Sequence, residues 1–183
     1  ADSYAATHPD AVVAYADGKL YFNAGLPEVR QLVADGVREI CENYAVDGII
    51  FDDYFYPYPV DGAVFDDGAA YAAYGADYAD RADFRRDNIN KLVRVCYDAV
   101  KETNPDMRFG VSPFGIWKNG DGENGGSATR GLSAYDAIYC DALAWVEGGY
   151  VDYLAPQIYW RFSTAAAKYD VLVRWWNTLL DGT

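Results

Sequence analysis

Basic residues, histidine and cysteine are all scarce in this chain. Of 183 residues, 15 are Lys or Arg and 28 are Asp or Glu, for a net charge of −13. So acidic a chain has no basic face for a phosphate backbone, which argues against nucleic acid as a partner. The acidic surface reads instead as a solvated face that favours solubility. The single histidine, His8, sits beside Pro9 near the N-terminus and reads as inert. Three scattered cysteines and one histidine lack the spacing of a zinc site, and an odd number of thiols builds no disulfide framework. Cys41 and Cys96 fall on apolar helix faces, where buried thiols are the default, and Cys140 lies one residue off its stripe. No apolar run approaches the roughly 20 residues of a membrane span. Ala1-Asp2-Ser3-Tyr4 offers neither a positive n-region nor an apolar h-region, which leaves a cytosolic protein and a mature or trimmed one both open. No Gly-rich phosphate fingerprint follows a predicted strand, and no cofactor is implied.

Apolar and aromatic residues, by contrast, are abundant, at 51% and 16%. That composition excludes a disordered chain. The length suits one domain, residues 1–183, with a real core.

The periodicity predicts alternating elements. Val12-Val13-Ala14-Tyr15 and Lys19-Leu20-Tyr21-Phe22 flank a Gly18-containing turn and read as a hairpin. Pro27 opens a helix with the stripe Val29, Leu32, Val33, Val37, Ile40 and Tyr44. Gly48-Ile49-Ile50-Phe51 reads as a buried strand that stops at Asp52-Asp53. A long Tyr-, Asp- and Gly-rich loop is expected over 54–82. Asp83 is the expected N-cap of a helix with the stripe Ile89, Leu92, Val93, Cys96 and Val100, stopped by Asn104-Pro105. Arg108–Ser112 reads as a second strand, and a glycine-rich loop follows over 113–132. Ser133 to Asp136 resembles a capping box opening one helix through Val146 that ends at Gly148-Gly149. Val151–Ala155 reads as a third strand, and a last helix carries Tyr169, Leu172, Val173, Trp176 and Leu180. Strands alternating with helices imply a parallel sheet, either an open doubly wound sheet or a piece of a (β/α)8 barrel. Three such units cannot close a barrel of about 250 residues.

In both architectures ligands bind at the carboxyl ends of the strands. Three stretches fall there: Asp52-Asp53-Tyr54-Phe55-Tyr56-Pro57, Ser112-Pro113-Phe114-Gly115-Ile116-Trp117 and Pro156-Gln157-Ile158-Tyr159-Trp160. Aromatic faces beside carboxylates and an amide suit sugar rings. On this reading Asp52 and Asp53 are the candidate catalytic acids, while Tyr54, Tyr56, Ser112, Trp117, Gln157, Tyr159 and Trp160 are candidate substrate contacts. Neighbours on a strand point to opposite faces, so Asp52 goes with Gly48 and Ile50, and Asp53 with Ile49 and Phe51. Either acid could instead serve as a strand-end cap or pair with Arg85 or Arg86. Trp175 and Trp176, mid-helix, read as packing. Arg86 and Asn88 suit capping and loop anchoring as well as substrate contact, and Asn23 suits a turn.

Four motifs in order carry a resemblance: Asp47–Pro57, Arg85-Arg86-Asp87-Asn88-Ile89-Asn90, Phe109–Trp117 and Val151–Trp160. Together they resemble the glycosyl-hydrolase-like 10 family, over about residue 12 to the C-terminus. The resemblance implies a (β/α)8 TIM barrel, here as a partial barrel segment with parallel strands, together with carbohydrate processing and a secreted or cell-envelope location in bacteria. It covers the middle of that barrel only. The pattern Asp47-Gly48-x-x-x-Asp52 is similar to the fourth-strand motif of α-amylase-like retaining hydrolases, whose final Asp is the nucleophile. By that analogy Asp52 is the better nucleophile candidate and Asp53 its support. Asp121 and Glu123 in the glycine-rich loop are candidate partner acids, though loop acids are usually just solvated, and the partner could equally lie outside this chain.

The expectation is therefore a glycoside hydrolase segment acting on a poly- or oligosaccharide. Two alternatives are a non-catalytic carbohydrate-binding module and a metal-dependent barrel enzyme using both aspartates as ligands. Uncovered sheet edges predict self-association if the segment stands alone.

Overall fold

A computed structural model of the chain describes residues 3–16, 18–122 and 125–179. A short helix, α1 (Tyr4–Thr7), and a 3₁₀ turn lead into an antiparallel hairpin of β1 (Val12–Ala14) and β2 (Leu20–Phe22), in the register Val12↔Phe22. The hairpin matches the sequence expectation, though Asp17 of its turn lies outside the described residues. His8 stacks on Tyr4 with ring centroids 4.0 Å apart. Asn23 has a turn role, its Oδ1 accepting from the Gly25 N–H at 3.0 Å.

Helix α2 (Pro27–Asn43) begins at Pro27, where a missing N–H costs nothing, with Glu28 in its first turn. It packs along α4, and Arg38 of α2 meets Glu102 of α4 at 2.8 Å. Its buried stripe is Val29, Ala34, Val37 and Cys41, whereas Ile40 and Tyr44 are exposed. The predicted stripe was thus rotated at its C-terminal end, with Ala34 and Cys41 taking buried positions and Ile40 and Tyr44 facing out.

Strand β3 (Gly48–Phe51) is followed by a long loop containing α3 (Gly68–Tyr74). Helix α3 was not foreseen, since Gly-Ala-Ala-Tyr-Ala-Ala-Tyr has no stripe of large apolar residues to read. Helix α4 (Arg81–Thr103) starts one turn earlier than expected: Asp80, not Asp83, is the N-cap, and its side chain accepts from the Asp83 N–H at 2.8 Å. All five stripe residues from Ile89 to Val100 are buried.

Strand β4 (Arg108–Val111) leads to α5 (Ala134–Ala137) and α6 (Ala142–Glu147). The capping box is present: the Ser133 hydroxyl accepts from the Asp136 N–H and donates to Asp136 Oδ2 at 2.7 Å. The single expected helix is broken, however, by Tyr139 at φ 58°, a conformation non-glycine residues rarely adopt. The Cys140 N–H closes the helix end on Ala134 O at 3.0 Å, and Arg85 donates to the Tyr139 hydroxyl at 2.9 Å.

Strand β5 (Tyr153–Leu154) and α7 (Tyr169–Thr178) complete the chain. Leu180, expected on the last helix, lies outside the described residues. The β5 ladder is two residues long, but Asp152 N–H→Phe109 O at 2.8 Å and Ala155 N–H→Val111 O at 2.9 Å extend its hydrogen bonding over 152–155, one residue short of the predicted 151–155.

The three long-range strands form one parallel sheet, β3-β4-β5, with Ile50, Gly110 and Tyr153 in register. Residues in register share a face. Ile49, Phe51, Phe109, Val111 and Leu154 pack into the helix-covered core. The opposite face stays open, leaving Ile50 52% and Tyr153 39% exposed. The architecture is α/β with a parallel sheet, consistent with a partial α/β segment. No helix among the described residues is long and apolar enough to cross a membrane.

Candidate active site

Alternation along β3 separates the two aspartates. Asp52 follows the open-face parity of Ile50 and is exposed. Asp53 follows Phe51 inward and is only 1% exposed. Its Oδ2 accepts a very short hydrogen bond from the Tyr58 hydroxyl. Burial holds the Asp53 carboxyl above the usual carboxylate range, Asp52 beside it adds to that, and the Tyr58 bond opposes it. Neither acid pairs with the arginines weighed for them: Arg85 clamps Asp67 through two contacts of 2.7 Å, and Arg86 reaches Asp83 at 2.5 Å. Arg86 also donates to Tyr135 O, and Asn88 bonds Arg30 and Phe84 O, so both anchor structure.

The Gln157 amide joins all three strand ends. Its Nε2 donates to Asp52 Oδ1 at 2.6 Å and to Ser112 O at 2.9 Å. Ser112 Oγ in turn donates to Ala155 O at 2.8 Å. Gln157 arrives there because its N–H bonds Pro113 O at 2.9 Å and it pairs with Phe114. Gly115 makes the approach feasible: a Cβ there would lie 2.5 Å from Gln157 O and 2.8 Å from the Trp160 ring.

Aromatic rings cross the same rim. Tyr54 meets Tyr58 edge-on at 5.7 Å, Tyr58 meets Phe114 at 6.1 Å, and Phe114 meets Trp160 at 5.5 Å. Tyr54 and Tyr159 are 67% and 83% exposed. The structure therefore brings Asp52, Ser112, Gln157, Tyr54 and Trp160 to one edge of the sheet.

Three expected site residues lie elsewhere. Asp53 points into the protein. Trp117 is buried, stacked 5.7 Å from Trp175 and donating from Nε1 to Asp141 Oδ1 at 3.0 Å, which leaves no open face for a sugar. Tyr56 is 2% exposed, with its hydroxyl unpartnered and Arg85 over its ring. Trp175 and Trp176 are buried, as expected of packing residues. Cys41, Cys96 and Cys140 are free and buried, and burial pushes the Cys96 thiol up to about 12.

Of the candidate partner acids, Asp121 is exposed on the loop after β4 and Glu123 lies outside the described residues. Among the described residues, no group of three or more His, Cys, Asp or Glu is placed to hold a metal. Sequence reasoning missed Tyr58 and Phe114. Tyr58 lies within the Tyr-Pro run after the aspartates, where its odd spacing from Asp53 gave no periodic signal.

Known proteins resemble the chain over nearly its whole length. The family model described as glycosyl hydrolase-like 10 matches residues 2–182. Glycosyl hydrolase YngK of Bacillus subtilis (strain 168) is 43% identical over 178 residues, covering 96% of this chain and 35% of that protein. Glycosyl hydrolase DigH of Escherichia coli (strain K12) is 42% identical over 165 residues, covering 90% of this chain and 37% of that protein. The chain thus spans little more than a third of the length of these curated relatives. With its parallel sheet, acid-and-aromatic rim and family match in agreement, the chain belongs to the glycosyl hydrolase-like 10 family.

Proposed function

We propose that this chain carries part of the active site of a glycoside hydrolase that cleaves glycosidic bonds in a poly- or oligosaccharide. The observation that carries the reading is the exposed Asp52 carboxylate at the end of β3, held by Gln157 from β5 beside exposed aromatic rings. Asp52 is the nucleophile in this reading. Its carboxylate attacks the anomeric carbon, the glycosidic oxygen leaves with a proton from a second acid, and water then releases the sugar. Retaining enzymes place the two carboxyls about 5–5.5 Å apart and inverting ones about 6.5–9.5 Å. Asp53 faces the core and is not that second acid. Tyr54, Tyr159 and Trp160 supply ring faces, and Ser112 sits beside them on the same edge. The (β/α)8 barrel belongs to this proposal, and so does a secreted or envelope location.

The test is Asp52→Asn in the protein that carries this chain. Turnover is lost while glycan binding survives; unchanged turnover would remove Asp52 from the mechanism.

The inward turn of Asp53 favours one second reading, a carbohydrate-binding segment without hydrolysis. In that case glycan binds, Asp52→Asn leaves the affinity nearly unchanged, and no product forms.

A further inference from the structure

The Asp53–Tyr58 pair is a buried carboxylate contact beneath the rim that the proposed chemistry does not use. It closes a five-residue segment onto itself. The chain leaves β3 at Phe51, exposes Tyr54, and returns so that the Tyr58 hydroxyl reaches Asp53 Oδ2. Inside that segment the Phe55 N–H also bonds Asp53 O at 3.0 Å. The Tyr58 ring is the second of four in the aromatic row, in edge contact with Tyr54 on one side and Phe114 on the other. Phe114 passes the contact on to Trp160. One hydroxyl bond therefore fixes a ring that touches both the β3 loop and the β4 loop. A hydrogen bond to a buried carboxyl group is stronger than a neutral surface one, and losing either partner leaves the other unsatisfied.

We propose that Tyr58 and Asp53 are positioning residues: their bond locks the 54–58 segment so that Tyr54, Phe114 and Trp160 hold the alignment that seats a sugar. The seating role rests on the glycoside hydrolase reading, whereas the lock itself does not. Asp53 thus anchors the platform from below, while Asp52 works above it.

Amide hydrogen exchange over residues 54–60 tests the lock directly. Tyr58→Phe keeps the ring but loses the donor, and Asp53→Ala loses the acceptor. Each raises exchange in this segment at least tenfold while α2 and α4 stay protected. Asp53→Asn keeps an acceptor oxygen and restores protection to near the wild-type level. Kinetics on the member of a panel of glucose and N-acetylglucosamine hexamers that the protein hydrolyses supply the second readout. Tyr58→Phe raises KM several-fold with kcat within about twofold, the opposite of the Asp52→Asn pattern. Unchanged exchange in Tyr58→Phe overturns the lock whatever the activity. Looser exchange with unchanged KM overturns the positioning role. If no hexamer is hydrolysed, the hydrolase reading loses support, and the lock is judged on exchange alone.

Discussion

Gln157 Nε2 lies 2.6 Å from Asp52 Oδ1, although 105 positions separate the two residues in the chain. This contact ties the ends of β3 and β5 together above β4. The Gln157 amide nitrogen is spent on Asp52 and Ser112 O, so in the proposed active site it would orient the acid.

Gln157→Leu tests that role. A hydrogen bond to a charged group contributes about 1.5 kcal/mol, which corresponds to roughly a tenfold change in rate. The expected result is a kcat about tenfold lower with the fold intact by circular dichroism. An unaltered kcat would show that Asp52 needs no help from β5.

Stability should depend on pH through Asp53. Its carboxyl pKa is raised in the folded protein, chiefly by burial. The native state therefore holds this proton more tightly than the unfolded chain does. The contribution is fully present below about pH 4, the unfolded value, and is lost as pH rises through the folded one. Asp53→Asn abolishes this component, so the mutant's urea midpoint falls less than the wild type's between pH 4 and 7. Parallel pH profiles for the two proteins would refute the assignment.

The Arg85–Asp67 pair is buried, with the Asp67 side chain fully covered and the Arg85 side chain 10% exposed. Asp67→Ala leaves a guanidinium without its carboxylate beneath Tyr56 and Tyr139. Removing one partner of such a pair costs about 3–5 kcal/mol. Chemical denaturation should show a loss of that order, along with faster proteolysis in the 54–82 loop. A loss below about 1 kcal/mol would mean the pair is dispensable.

Gly115→Ala places a methyl group 2.5 Å from Gln157 O and 2.8 Å from the Trp160 ring. Overpacking of this kind costs about 1–3 kcal/mol. The β5 loop must shift, so both the urea midpoint and the Asp52-dependent rate should fall together. A mutant unchanged in both would place the β4 and β5 loops farther apart than described.

Native thiols supply a simpler check. All three cysteines are buried, and desolvation raises the pKa of each. A thiol reagent at neutral pH should label none of them quickly in the folded chain and all three in urea. Rapid native labelling of Cys140 would contradict the close packing beside Asp53.

The helices and strands with strong periodicity were legible in the sequence. The α4 stripe follows directly from it, because burial on one face imposes the spacing that can be read. The strands were legible as short apolar runs, but β3 read as buried on both sides and instead leaves Ile50 52% exposed. The rim itself was half legible. Strand alternation separated Asp52 from Asp53 but could not say which faced the core, since that depends on where α2 and α4 lie. Trp117 was read as a sugar platform from its place after β4, yet packing by Trp175, remote in sequence, buried it. The break at Tyr139 could not be read at all, because the apolar stripe runs on past it and a non-glycine residue at positive φ leaves no mark in the sequence.

The alternation of β3 carries one more consequence. Inserting or deleting a single residue in this strand would exchange the two neighbouring acids, turning the buried one outward and sealing the exposed one inside. Strand length here is therefore as consequential as residue identity: an indel of one residue reverses the two faces, whereas one of two residues restores them.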